Sequence, residues 1–192
     1  MKAALVVFDG MTMLDFIGFY DALTRLRTMK LKPDLEWRIC SPRPQAKDDR
    51  GLSLLADSVG ESLAGYDLLY VPGGMGTRSL QHDRPFLDWI GTAREADLKV
   101  SVCTGALILG AAGFLTGRRA TTHPGALKEL EPYCGAVVTD RIVDEGNVIT
   151  AGGVATSIDL GLHVVDRLAG AEARARIARQ MDYPYSPQGV IR

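Results

Sequence analysis

Cys103 sits where a side chain can be made reactive. The stretch Lys99-Val100-Ser101-Val102 has the apolar, β-branched character of a strand and runs straight into Cys103. Thr104-Gly105-Ala106-Leu107-Ile108-Leu109-Gly110 follows and reads as a helix whose first turn carries small residues. A thiol at that junction meets unpaired N–H groups and the positive end of a helix dipole, both of which favour the thiolate. The expectation is a nucleophile whose pKa lies well below the ordinary thiol value. The spacing follows the G-x-S-x-G nucleophile elbow with cysteine at its centre: Ser101 replaces the first glycine, and Gly105 lets strand and helix approach closely. Cys40 and Cys134 lie at no such junction and are read as small buried residues.

Two further stretches follow strand-like runs and would meet the same turn. Asp15, in FDGMTMLDFIG, is near the start of a helix, where an acid is ordinarily a cap or a dipole partner. In a doubly wound sheet, however, ligands bind outside the carboxyl ends of the strands, where the loop after the first strand meets the turn carrying Cys103. Asp15 is therefore expected to orient the thiol and pass protons. Gly73 and Gly74, in Val71-Pro72-Gly73-Gly74-Met75-Gly76, can turn backbone N–H groups toward a developing negative charge. No Gly-Lys-Ser/Thr follows, which excludes a phosphate loop, and Ser79 occupies the third glycine position of a dinucleotide fingerprint. Asp9 and Gly10 are read as a turn, and His163 as a packed histidine on an apolar helix. His123 ends a strand before a helix starting near Pro124, with an approach to the cleft as the alternative.

The elements that must position these residues are legible from periodicity. Apolar runs at 3–8, 37–40, 68–71, 100–102 and 147–150 alternate with helical segments, the mark of an α/β sheet covered on both faces. A first helix is expected over 12–27 with Leu14, Ile17, Ala22 and Leu26 on its apolar side. Paired short strands are expected within 49–57 and within 136–150, the second around Glu145-Gly146-Asn147. Helices follow at 155–168 and 171–180. The 192 residues make one domain, 1–185, with 186–192 an irregular tail that could lie on a neighbouring subunit.

Composition narrows the partners. With 22 basic and 23 acidic residues the net charge is −1, so no global field draws in nucleic acid or a membrane surface. Three scattered cysteines form neither a disulfide framework nor a C-x-x-C, and three scattered histidines give no H-E-x-x-H. No metal is expected. The opening MKAALVVFDG is too short and too early interrupted for a signal peptide, which together with the free thiols points to the cytoplasm.

The motifs around these residues resemble the ThiJ/PfpI cysteine superfamily, and within it the isonitrile hydratase branch. The matching stretches are LDFIGFYDAL, VPGGMGTRSL, SVCTGALILGAAGFLTGRRATTH and ITAGGVATSIDLGL, spread over residues 1–185. The resemblance implies a flavodoxin-like three-layer sandwich with a mainly parallel sheet and an elbow like that of class I glutamine amidotransferases. It implies a homodimer, no cofactor, a cysteine nucleophile (Cys103), an aspartate partner (Asp15) and a threonine after the cysteine (Thr104). A Cys-His peptidase would carry histidine at that last position. Phe19 stands where the family-like L-D-x-x-G-P pattern has proline, which changes the shape of the first helix or its pocket. The implied reaction hydrates a small isonitrile to an N-substituted formamide through a Cys103 thioimidate, with Gly73, Gly74 and Gly105 at the anionic centre. The alternatives are a glyoxalase-like hydratase of reactive aldehydes and a non-enzymatic redox or ligand sensor using Cys103. Regulators built on this domain continue into a helix-turn-helix, for which the dozen or so residues after Gln180 are too few.

Overall fold

A computed structural model describes residues 1–184 and 189–191. In chain order the elements are β1 (Lys2–Val6), α1 (Met13–Thr28), β2 (Glu36–Ser41), β3 (Gln45–Lys47), β4 (Ser53–Leu55), β5 (Ser58–Val59), β6 (Leu68–Val71), α2 (Thr77–Leu80) and α3 (Arg84–Gly91). They continue with β7 (Leu98–Val102), α4 (Gly105–Ala111), β8 (Arg119–Ala120), α5 (Leu127–Leu130), β9 (Ala136–Val137), β10 (Ile142–Asp144), β11 (Val148–Ala151), α6 (Thr156–Gln180) and β12 (Val190–Ile191).

The main sheet has the order β12-β10-β11-β7-β6-β1-β2-β5, and every neighbouring pair is parallel except β10 with β11. β6, β7 and β11 are buried at every position, as strands covered on both faces must be. This is the mainly parallel α/β sandwich of the flavodoxin-like kind. No helix among the described residues is long and apolar enough to cross a membrane.

Several local expectations need correction. In α1 the buried residues are Asp15, Phe16, Gly18, Phe19, Ala22, Leu23, Thr24 and Leu26, whereas Leu14 and Ile17 stay 46% and 42% exposed. Two aromatic rings and Leu23 hold more apolar area than Leu14 and Ile17, so the helix turns that arc inward and carries Asp15 with it. The first hairpin pairs Gln45–Lys47 with Ser53–Leu55, so residues 49–51 are its turn and not a strand. Asp48 Oδ1 makes that turn by accepting N–H groups of Arg50 and Leu52 at 2.9 and 2.7 Å. The second hairpin does turn at residues 145–147, but Ala136–Val137 leaves it and pairs in parallel with β8. The two C-terminal helices are present as expected and run end to end in α6, separated at Gly170, whose backbone (φ 84°, ψ 168°) is not helical. Val190–Ile191, expected to be irregular, add to β10 as the edge strand; residues 185–188 and 192 lie outside the described residues.

α1 and α6 cross closely because glycine faces a small side chain twice. A Cβ on Gly18 would come within 2.2 Å of Ser157 Oγ, and one on Gly161 within 2.7 Å of the Ala22 Cβ. Ser157 Oγ also donates to the Leu14 carbonyl at 3.1 Å, tying α6 to the turn of α1 that holds Asp15.

His163, read as a packed histidine, is buried but bonded: its Nε2 lies 2.8 Å from Asp144 Oδ2, and Arg167 donates to both oxygens of the same carboxylate at 2.6 Å. The cluster ties α6 to the β10–β11 hairpin, which in turn lies beside β7. Asp144 sits in an apolar run, and nothing in its local pattern announces that role.

Candidate active site

Three consecutive-layer loops meet at the carboxyl ends of β1, β6 and β7. β7 delivers Cys103 into the turn before α4 with φ 53°, a left-handed conformation that is costly for a residue with a side chain and is typical of a nucleophile elbow. Its backbone is tied down: the N–H is shared between the carbonyls of Ala151 (3.0 Å) and Gly152 (2.8 Å), and the carbonyl accepts from Thr122 Oγ1 at 2.8 Å.

Asp15 reaches the same point from α1. It is no cap, because its Oδ2 accepts the N–H of Gly73 at 3.0 Å, from the loop after β6, while Thr12 occupies the N-cap position. Its Oδ1 is buried with no hydrogen bond of ordinary geometry to a described residue, and the Cys103 thiol interacts with the carboxyl group. Tyr70 Oη donates to the Asp15 backbone carbonyl at 2.6 Å, and the Tyr70 ring stacks on Phe19 with centroids 3.8 Å apart and planes within 3°. Phe19 at the proline position thus buttresses the phenol that holds the turn carrying Asp15.

The glycine loop allows this convergence. A Cβ at Gly73 would fall 2.6 Å from Thr104 N, 2.7 Å from Cys103 Cβ and 2.8 Å from Asp15 Oδ2; one at Gly105 would fall 2.3 Å from the Val71 carbonyl oxygen. The loop's N–H groups, expected at an anionic centre, have other partners here. Gly73 N–H holds Asp15, and Gly74 N–H donates to Thr104 Oγ1 at 3.0 Å, which lies 3.1 Å from the Gly74 carbonyl and donates to it. They position the acid and the threonine, and Thr104 N–H, not theirs, lies against the Cys103 sulfur.

The expectation of a low thiol pKa is overturned. Burial and then the charge of Asp15 push Cys103 up to about 12, against the pull of the Thr104 N–H and hydroxyl. The helix that was to supply the opposing dipole has only seven residues, and Cys103 is 5% exposed. Burial also raises Asp15 to about 7, opposed by the Gly73 N–H and the thiol and helped by the charge of Asp49. Of the two groups the acid is the one held near neutrality, where a carboxyl can take and return a proton.

Of the residues singled out in the sequence, Cys103, Asp15, Thr104, Gly73, Gly74 and Gly105 come together. His123 Nδ1 accepts the Gly125 N–H at 3.1 Å and caps the short turn at Pro124–Ala126, with its ring beside Gly153. Asp9 accepts from Lys47 N–H and Arg43 at the rim of a cavity of about 590 Å³ whose lining includes neither Cys103 nor Asp15. Sequence reasoning missed Tyr70, one residue before the VPGG motif, and Thr122, beside the histidine it did consider. Among the described residues no set of three His, Cys, Asp or Glu side chains is gathered to hold a metal ion.

An α/β sandwich with a cysteine elbow facing a buried carboxyl defines a class, and the chain matches the DJ-1/PfpI family over residues 1–167. This protein belongs to that family. It is 36% identical over 189 residues to isonitrile hydratase of Pseudomonas putida, covering 97% of this chain and 80% of that one. It is 27% identical to protein DJ-1alpha of Drosophila melanogaster, covering 97% and 86%. Among solved structures, a ThiJ/PfpI family protein from Pseudomonas syringae superposes with a TM-score of 0.87 at 28% identity, covering 97% of this chain and 76% of that one.

Proposed function

We propose that the protein hydrates isonitriles to N-substituted formamides. The observation that carries the reading is the Cys103–Asp15 pair: a buried thiol beside a carboxyl raised to about 7, with Thr104 next to the sulfur. Likeness to the Pseudomonas putida isonitrile hydratase supports the substrate class.

The terminal carbon of R–N≡C is electrophilic. As the Cys103 sulfur bonds to it, Asp15 takes the thiol proton and delivers it to that carbon, giving the thioimidate R–N=CH–S–Cys103. Proton relay through Asp15 removes the need for a free thiolate, which burial and Asp15 disfavour. Water then adds to the thioimidate carbon, its proton passing to nitrogen through Asp15. The C–S bond breaks, the hydroxyl proton returns to sulfur, and R–NH–CHO leaves. The sum is one isonitrile plus one water, with the protein unchanged. Thr104 N–H supports the sulfur wherever it carries negative charge. The sensor alternative depended on an easily ionised thiol, and the raised Cys103 pKa weighs against it.

Purified protein is given several isonitriles and, separately, reactive aldehydes. Formamide formation by the parent and its loss in folded Cys103→Ala is the expected result. Hydroxy acid from the aldehydes without formamide would assign the chain to the aldehyde alternative, and formamide at the parent rate from Cys103→Ala would overturn the covalent route.

A further inference from the structure

The Cys103 carbonyl is the part of the elbow that this mechanism leaves unused. Thr122 Oγ1 donates to it at 2.8 Å, and both residues are almost wholly buried. Thr122 is itself anchored on either side. Thr121 N–H donates to Thr150 Oγ1 of β11 at 2.9 Å, and His123 packs where a Cβ on Gly153 would come 3.2 Å from its Cδ2. The segment from Thr121 to His123 and the loop after β11 thus grip a backbone that φ 53° would otherwise strain.

A trans peptide unit is planar, and its C=O and N–H point in opposite directions. The carbonyl bound by Thr122 shares a plane with the Thr104 N–H, which lies against the Cys103 sulfur. We propose that Thr122 is a positioning residue: by donating to the Cys103 carbonyl it locks the Cys103–Thr104 peptide so that Thr104 N–H is aimed at the sulfur. A donor on the carbonyl also polarises the amide, making that N–H a stronger donor as charge gathers on sulfur. The inference rests on Cys103 being the nucleophile. Among the described residues, the other polar groups acting on the sulfur are the Asp15 carboxyl and the Thr104 hydroxyl.

The test compares Thr122→Val, Thr122→Ala and Thr122→Ser with the parent. Two readouts are followed: the rate of Cys103 alkylation by iodoacetamide across pH, with the modified residue located by peptide mass, and kcat and KM for an isonitrile. Thermal melts accompany both. Val and Ala remove the donor, and both alkylation and kcat are expected to fall roughly tenfold, the scale of one hydrogen bond to a charged group, with KM within twofold. Ser keeps the donor and is expected to restore both rates to within about twofold of the parent. Val and Ala variants that are folded and match the parent in alkylation and kcat overturn the proposal. Failure of Val and Ala to fold also overturns it, because Thr122 would then be a folding group. A parent inactive on every isonitrile sinks the hydratase reading alone, since alkylation still decides the role of Thr122.

Discussion

Asp15 bears most of the chemical argument because its environment separates two roles that look alike on paper. A helix cap would accept N–H groups from its own first turn, yet Asp15 accepts from Gly73 of another loop and faces a thiol. Asparagine can still accept from Gly73, so Asp15→Asn is expected to fold. Its amide does not titrate, and kcat for isonitrile hydration is expected to fall by a factor on the order of 10² or more. In the parent, the relay needs an ionised carboxylate to receive the thiol proton. Activity should therefore decline as pH drops through about 7, where burial has placed the acid. The check is a kcat/KM profile from pH 5 to 9. The residual activity of Asp15→Asn should lack the limb near 7, and a limb that persists in that variant would assign it to another group. Asp15→Glu keeps the acid but displaces it by one methylene, and partial activity is expected.

The elements bring these groups together by close backbone approach. α4 can begin immediately after the elbow only because Gly105 has no Cβ to meet the Val71 carbonyl at the end of β6, and the Pro72 carbonyl oxygen lies 2.8 Å from the same point. Both obstacles are backbone atoms, which cannot rotate aside as a side-chain tip can. Gly105→Ala must push α4 away from β6, carrying Thr104 off the sulfur and away from Gly74. A cost of about 2 kcal/mol is expected, within the usual range for overpacking, and a melting temperature lower by roughly 4–8 °C for a chain of this size. Activity should fall further than the melt implies, because the same shift moves the elbow. Calorimetry together with kcat on the purified variant checks both. An unchanged melting temperature would mean that α4 and β6 are less tightly coupled than this contact requires.

Across the whole molecule the buried acid makes stability depend on pH. Asp15 has a folded-state pKa of about 7 against an ordinary 3.8, so between those values the folded chain binds more protons than the unfolded one. Stability from this residue is present below pH 4 and is lost as pH rises through about 7, an effect on the order of 4 kcal/mol. Asp15→Asn has no such dependence. The melting temperature of the variant should therefore gain on that of the parent by several degrees between pH 5 and pH 8. A difference that stays constant across that range would show that the carboxyl is ionised in the folded chain throughout. Stability sacrificed at neutral pH to keep an uncompensated carboxyl oxygen beside a thiol is the pattern expected of a site shaped for proton transfer.

The sequence by itself determined the class of fold, the strands that carry the site, the elbow at Cys103 and the identities of its partners Asp15, Thr104, Gly73 and Gly105. The strands, the elbow and its glycines rest on local signals, namely period, strand-to-helix junctions and glycines where backbones must touch; Asp15 follows from sheet topology, and Thr104 from the family resemblance alone. Only the tertiary structure decided which face of α1 turns inward, since burial is won by the total apolar area of an arc and not by one stripe. Only it located Phe19 on Tyr70, and Thr122 on the Cys103 carbonyl, contacts between residues 51 and 19 positions apart. Above all it reversed the electrostatics. A helix start after cysteine suggested a thiolate, but burial of a nearly inaccessible sulfur and then the neighbouring charge of Asp15 push the thiol up, and depth is a property no local pattern contains.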